Sequence, residues 1–536
     1  MMRAIAVIFF VSAAVGISYS QVDRSKAPAP VPPREIEIGA YQSFTLKNGL
    51  QVFVVENHKL PRLQFSIQLK HDPIFEGDKA GYVSIAGNLM GTGTANRTKA
   101  QLDEEIDFIG ASLNTSAYSL YASSLTKHTD KLLDLMTDVL YHPVFSEDEL
   151  DKLKTQTISG ITAGKDDPGT ISSNVRGILL YGRDHPYGEI ATEKSVQSIT
   201  TEDCKQYYQS YFRPNNAYLV MVGDITLKEA KKIADKNFSS WTSGEVKKLT
   251  YKQPEAPAKT FVALVDRPAS VQSIINITYP VDLKIGSEEV IKARVMNQIL
   301  GGSYSARLNQ NLREKHGYTY GSSSQLSSDE LIGRFNASAS VRNEVTDSAV
   351  YEMLSELQRI SSESVSAEEL SAAKASIAGA FGRSLEQPQT VASFAVNTAK
   401  YNLPKDYYST FLKRLDAVSA EQVLAIAKKY IRPDRAYIEV VGKGSDIAKG
   451  LEQFGEVRYY DINGSEYVPS EKKALPAGLT AQNVVAKYLD ALGGAKKLDQ
   501  VKSLKMVFKA SAMGTELMMT ITKAAPNKSV VEVTAA

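Results

Sequence analysis

The sequence predicts an α+β fold: two homologous domains, each a mainly antiparallel sheet with helices packed on it, followed by a partial C-terminal α+β segment. Three observations lead there: an internal repeat of about 220 residues, period-two stretches interleaved with capped helical stretches, and a change of texture after residue 476. In the repeat, residues 199–223 (ITTEDCKQYYQSYFRPNNAYLVMVG) align without gaps on 418–442 (VSAEQVLAIAKKYIRPDRAYIEVVG). Arg213-Pro214 falls on Arg432-Pro433 and Gly223 on Gly442, so each copy reads as a capped helix, an Arg-Pro break and a strand ending in glycine. Ser146 and Ser366 open a second pair of matching helices. These offsets place one domain at 35–250 and its homologue at 255–460.

The elements follow in chain order. Arg3, the apolar run Ala4–Val15 and the small-residue end Ser18-Tyr19-Ser20 read as a signal peptide over 1–20. A proline-rich tether over 21–34 comes next. The expected location is therefore across the inner membrane, in the periplasm, and no later stretch has the ~18 apolar residues of a membrane span. Phe44–Val55 reads as two strands hinged on Asn48-Gly49, a pair that favours a type I′ turn. Leu63–Leu69 alternates as a half-buried strand, Thr98 and Gln101 form a capping box, and an amphipathic helix runs from Asp130 to Tyr141. Residues 461–476 are expected to be a polar linker. From 477 to 536, a helix stopped by Gly493-Gly494 and three alternating stretches suggest the start of a third domain, cut short by the end of the sequence. That segment is similar to the start of a lipoprotein-carrier half-barrel.

Composition narrows the function. With 62 basic and 60 acidic residues and a net charge of +2, the chain shows no Lys/Arg block to track phosphates, which argues against a nucleic-acid partner. The single cysteine, Cys204, excludes an internal disulfide and reads as an inert helix residue.

The segment Gly81–Thr94, GYVSIAGNLMGTGT, carries the most specific signal. With Leu46–Leu50 before it and Gly110–Asn114 and Leu140–Phe145 after it, it resembles the pitrilysin/insulinase family of zinc peptidases, which includes mitochondrial processing peptidase. In that family the helix reads G-x-x-H-x-x-E-H. The resemblance sets Ser84, Gly87 and Asn88 where the family has His, Glu and His, and the third ligand falls near Ser159-Gly160. The chemistry needs two imidazoles one helical turn apart to bind zinc and a carboxylate to act as base. None of these side chains is present, so the chain is expected to bind no metal. The six histidines, His58, His71, His128, His142, His185 and His316, include no i, i+4 pair and read as surface or loop residues.

The second copy keeps the other half of the family pattern. Residues 300–320, LGGSYSARLNQNLREKHGYTY, resemble the segment in which a Gly-Gly turn leads through a helix to Leu-Arg-Glu and then to Gly and Tyr. The resemblance implies that Arg313 and Tyr320 hold the substrate backbone and donate to the oxyanion at the zinc site of another domain. It also implies a heterodimer in which a homologous partner with an intact H-x-x-E-H carries the zinc and unfolded peptides are the substrate. This chain would be the substrate-binding, zinc-less subunit of a metalloendopeptidase and inactive alone. The alternative is a non-catalytic structural or peptide-binding assembly subunit.

Overall fold

The computed structural model describes residues 38–469, 479–512 and 515–535. The expected signal peptide and tether, and the 470–476 end of the expected linker, lie outside the described residues. Two units separate after Tyr467.

In the first half of the larger unit the strands are β1 (Gln42–Thr45), β2 (Gln51–Glu56), β3 (Arg62–Leu69), β4 (Ser112–Ser116), β5 (Ser119–Leu125) and β6 (Ala217–Gly223). Its helices are α1 (Tyr82–Leu89), α2 (Lys99–Phe108), α3 (Thr129–Tyr141), α4 (Glu147–Gly164), α5 (Pro168–Tyr181), α6 (Glu193–Ser198), α7 (Thr201–Tyr211) and α8 (Leu227–Phe238). The second half holds β7 (Phe261–Asp266), β8 (Gln272–Val281), β9 (Thr319–Ser327), β10 (Gly333–Arg342), β11 (Tyr437–Gly442), β12 (Val457–Tyr460) and β13 (Glu466–Tyr467). Its helices are α9 (Glu289–Leu300), α10 (Arg307–Asn309), α11 (Thr346–Ser362), α12 (Ala367–Ser384), α13 (Pro388–Lys400), α14 (Phe411–Asp416), α15 (Ala420–Tyr430) and α16 (Gly444–Leu451).

The sheets run β1-β2-β6-β3-β5-β4 and β13-β12-β7-β11-β8-β10-β9. Strands β2-β6-β3-β5-β4 correspond one to one with β7-β11-β8-β10-β9, including the parallel pairings β2/β6 and β7/β11 in otherwise mainly antiparallel sheets. The sequence repeat is thus a repeat of topology. Helices α4 and α12 are both 18 residues long, and α5 and α13 both begin at a proline in the first helical turn.

The inner face of each sheet packs on its own helices, around Phe65, Leu89, Met136 and Leu219 in one half and Met296, Phe335, Tyr279 and Ile438 in the other. The alternation of β3 buries Leu63, Phe65, Ile67 and Leu69 there. Strand β6, AYLVMVG, is buried on both faces, which requires a second cover. Each half supplies that cover to the other. Helix α13 lays Val391, Ala392, Ala395 and Val396 on Phe53, Val55, Tyr218, Val220 and Val222 of the first sheet. Helix α5 lays Ile171 and Val175 on Phe261, Ala263, Val265 and Val441 of the second.

Two expectations are corrected. Strands β1 and β2 pair as a hairpin, but Thr45 sits opposite Gln51, so the loop spans 46–50 rather than a two-residue type I′ turn. Gly49 has φ +88, whereas Asn48 lacks the positive φ that a type I′ turn requires. Leu46 and Leu50 are drawn into the core and close the loop by a backbone bond, while the Asn48 side-chain amide donates to the Phe238 and Trp241 carbonyls. Residues 461–467 are not linker: β13 pairs with β12 at the edge of the second sheet.

The smaller unit holds α17 (Ala481–Ala491), α18 (Ala495–Leu498) and a meander of β14 (Ser503–Ala512), β15 (Thr515–Ala524) and β16 (Lys528–Ala535). Its register aligns Phe508, Met519 and Val533, and Met506, Ile521 and Val531, in apolar rows on one face. No helix among the described residues is long and apolar enough to cross a membrane.

The two reciprocal interfaces differ in one respect. Where the first sheet meets α13 through Val220, Ala392 and Val396, the matching positions at the second sheet are Glu439, Ser172 and Arg176. Glu439 is fully buried; its Oε2 accepts from Ser172 Oγ (2.9 Å) and Asn276 Nδ2 (2.7 Å), and its Oε1 has no partner. Burial pushes its carboxyl from 4.5 up to about 7, with the hydrogen bonds and Arg176 pulling the other way. Between those values the folded state keeps a proton that the unfolded chain has released, so this group's contribution falls as pH rises from about 4.5 to 7 and then levels off. Glu439→Gln is therefore expected to gain stability relative to the natural chain by on the order of 3 kcal/mol between about pH 5 and about pH 8. Denaturant unfolding of both proteins across that range measures the difference, and one that stays constant with pH contradicts the assignment.

Candidate functional site

Helix α1 is the helix that the sequence resemblance sets at the metal-binding position. Gly81, at φ +105, turns the chain into it. The carboxylate of Glu76 accepts from the Gly81 and Val83 amides (2.9 Å each) at its N-terminus, where the helix dipole favours an anion. Burial, then the neighbouring Glu189, raise the Glu76 carboxyl to about 6. Ile85, Ala86 and Leu89 face the core, while Ser84 and Asn88, one turn apart, face outward.

Gly87 is the decisive position. A Cβ there would lie 2.1 Å from the Ala117 nitrogen and 2.2 Å from the Ser116 carbonyl carbon, in the turn joining β4 and β5. Backbone thus packs directly on backbone, an approach only glycine permits. The turn is held down by Tyr207, whose hydroxyl donates to the Ala117 carbonyl. Tyr207 itself stands in a shell of rings with Tyr82, Tyr211 and His71, and Tyr118 packs on His71. Burial raises the phenol pKa of Tyr82, Tyr118 and Tyr207, so all three are neutral hydrogen-bonding groups.

Ser159 and Gly160, at the expected place of the third ligand, are exposed on α4, and the Ser159 hydroxyl donates to the Thr155 carbonyl of its own helix. Among the described residues no three His, Cys, Asp or Glu side chains form a group that could hold a metal. Zinc does not fit this helix: the two outward positions are Ser84 and Asn88, and the place of the carboxylate is filled by a neighbouring turn. Cys204 is buried in α7, where burial pushes its thiol up to about 12. His185 lies in the loop after α5. It is buried among Tyr181, Tyr187 and Tyr251 because that aromatic shell takes its ring as one more flat face.

In the second half, α10 continues as a π-helical turn, Gln310–Lys315, with the His316 amide donating to the Asn311 carbonyl. Such turns often mark functional positions. Arg307 anchors the segment through a two-point ion pair with Glu369 (2.6 and 2.9 Å). The wider turn presents Arg313, whose guanidinium carbon lies 4.4 Å from the Tyr304 ring centroid, at the tip of the Gly301-Gly302 turn. One of its Nη atoms is buried without a hydrogen-bond partner, and Glu314 approaches Nε only to 3.7 Å. Tyr320, the second residue of the edge strand β9, is 92% exposed, and its hydroxyl has no partner among the described residues. Gly317, at φ +63, turns the chain between them. Sequence reasoning missed Tyr304 as the platform for Arg313, although it lies within the motif, because cation–π contacts have no fixed spacing.

Comparison with known proteins bears on the family and the fold. The profile described as "Insulinase (Peptidase family M16)" matches residues 75–174, and that described as "Peptidase M16 inactive domain" matches 198–377. A Bacillus subtilis protein called uncharacterized zinc protease YmxG is 24% identical over 415 residues, covering 75% of this chain and 98% of its own. A Helicobacter pylori protein called non-peptidase homolog YmxG is 20% identical over 275 residues, covering 50% of this chain and 63% of its own. The crystal structure of a peptidase M16 inactive domain from Pseudomonas fluorescens superposes with a TM-score of 0.69 at 24% identity, covering 75% of this chain and 98% of that one. The chain belongs to the insulinase (M16) peptidase family.

The Gly87 contact makes a direct prediction. Gly87→Ala is expected to destabilise the protein by roughly 2 to 3 kcal/mol, since the hairpin turn must move. Ser84→His and Asn88→His, both exposed, are expected to change stability by about 0.5 kcal/mol or less. Thermal unfolding of the three variants checks this, and a Gly87→Ala protein as stable as the natural chain contradicts the packing described.

Proposed function

We propose that this chain is the zinc-less, substrate-binding subunit of a heterodimeric insulinase-family metalloendopeptidase that degrades or processes peptides in an exported compartment. Its partner is a homologous subunit with an intact H-x-x-E-H motif, and the zinc resides there. One observation carries the reading: Tyr320 is exposed on the edge strand of the second half and Arg313, stacked on Tyr304, keeps a buried Nη donor without an acceptor, in a chain whose own α1 is closed off at Gly87. A buried guanidinium nitrogen without an acceptor is costly unless something else supplies one. In this proposal the supplier is the peptide carbonyl at the partner's site. Arg313 and Tyr320 donate to that oxygen and hold it more strongly as negative charge develops. The name of the H. pylori relative, a non-peptidase homolog, accords with inactivity in isolation.

The alternative, a structural or assembly subunit, uses the same fold and makes no demand on these two side chains. Measuring kcat and complex formation together separates the two readings. In a complex reconstituted with the zinc-bearing partner, Arg313→Ala or Tyr320→Phe is expected to leave assembly intact and lower kcat by about a hundredfold, the ~3 kcal/mol of one lost oxyanion donor. Full turnover by both variants in an intact complex would assign the chain to the structural role.

A further inference from the structure

A cavity of about 570 Å³ lies between α5 of the first half and the outer face of the second sheet. Arg176 and Ser172 of α5 form one wall, Asn276 and Ser338 of the sheet another, and the Gly301-Gly302 turn a third. Tyr304, which carries Arg313, and Gly321, which follows Tyr320, also line it.

The polarity of this cavity is not a requirement of packing. The corresponding helix and sheet in the first half meet through Ala392, Val396 and Val220, an apolar contact of the same geometry. Against that internal comparison, the second interface carries a guanidinium, a carboxyl and a row of hydroxyls and amides. Ser172, Asn276 and Glu439 satisfy one another, apart from the second Glu439 oxygen. Arg176 is left over: half-buried, it makes no hydrogen bond or ion pair among the described residues. Its other charged neighbour, Arg334, has the same sign. The Glu439 carboxyl acts on Arg176 only at a distance and is bonded instead to Ser172 and Asn276, so the guanidinium has no paired counter-ion, and its planar fork matches a carboxylate at two points.

We infer that this cavity binds a carboxylate of the peptide substrate, with Arg176 as its counter-ion. The inference rests on the peptide-binding reading above, because the cavity is lined by Tyr304, on which Arg313 stacks, and by Gly321, the neighbour of Tyr320 in the chain. A C-terminal carboxylate and an acidic side chain share the required chemistry.

Binding of labelled peptides of about ten residues to the full chain, followed by fluorescence anisotropy at about pH 6, tests it. Three probes of one neutral sequence are used: the C-terminal acid, the C-terminal amide, and the amide with one internal Glu. The acid, the Glu peptide or both are expected to bind about tenfold or more tightly than the neutral amide. Which of the two gains identifies the source of the carboxylate. Arg176→Gln is expected to abolish that gain and leave the neutral amide unchanged. Ser338→Asp, which keeps Arg176 and places a fixed carboxylate in the cavity, is expected to abolish it as well. Equal binding of all three peptides, or a carboxylate preference that survives in folded Arg176→Gln and Ser338→Asp proteins, overturns the inference and leaves the peptide-binding reading standing. Binding of no peptide overturns both.

Discussion

Each half of the larger unit makes a sheet with two apolar faces but packs its own core on only one of them. Strand β6 shows the consequence, since residues pointing to both sides are buried. Water on the outer face would expose Phe53, Val55 and Val222 in one half and Phe261, Val265 and Val441 in the other. The exchange of α5 and α13 removes both patches at once, at roughly 25 cal/mol for each Å² of apolar surface covered. Neither half is closed without the other, so the two sequence repeats form one compact unit rather than a pair of beads. This exchange also places α5, a helix of the first half, against the second-half sheet beside the Gly301-Gly302 turn.

With the scaffold shared, the halves have diverged in what they present. In the first, α1, which the sequence resemblance sets at the metal-binding position, meets the β4–β5 turn at Gly87, and a tyrosine shell pins that turn down. The loss is therefore more than a missing set of side chains: the room for a carboxylate has been taken up by backbone. In the second, the chain spends a π-helical turn, a glycine bend and a stacking partner on keeping Arg313 and Tyr320 accessible. This contrast is what supports the proposed role of contributing substrate contacts to a site completed elsewhere.

Much of this was legible in the sequence because it depends on local pattern. The repeat around Arg213-Pro214 and Arg432-Pro433 gave the two halves, the alternation of Leu63–Leu69 gave β3, and Thr98 with Gln101 gave the start of α2. What escaped depends on partners distant in the chain. Asn48-Gly49 looked like a two-residue turn until the Phe238 and Trp241 carbonyls claimed the asparagine. Glu466 and Tyr467 looked like linker because a two-residue strand is defined only by its neighbour β12. The sequence announced the absence of ligands at Ser84, Gly87 and Asn88. That the Ser116-Ala117 backbone lies on Gly87 could be seen only once the hairpin was placed. His185 lies in a loop, but its burial escaped the sequence because one of its covering rings, Tyr251, comes from a distant stretch of chain.

The central claim is that the first half has exchanged a metal site for a packing contact. Metal analysis of the purified chain, paired with a peptide-cleavage assay with and without chelator, tests it most directly. The account predicts no stoichiometric zinc, no cleavage by the chain alone and no response to the chelator. One zinc per chain, with cleavage that the chelator removes, would contradict it.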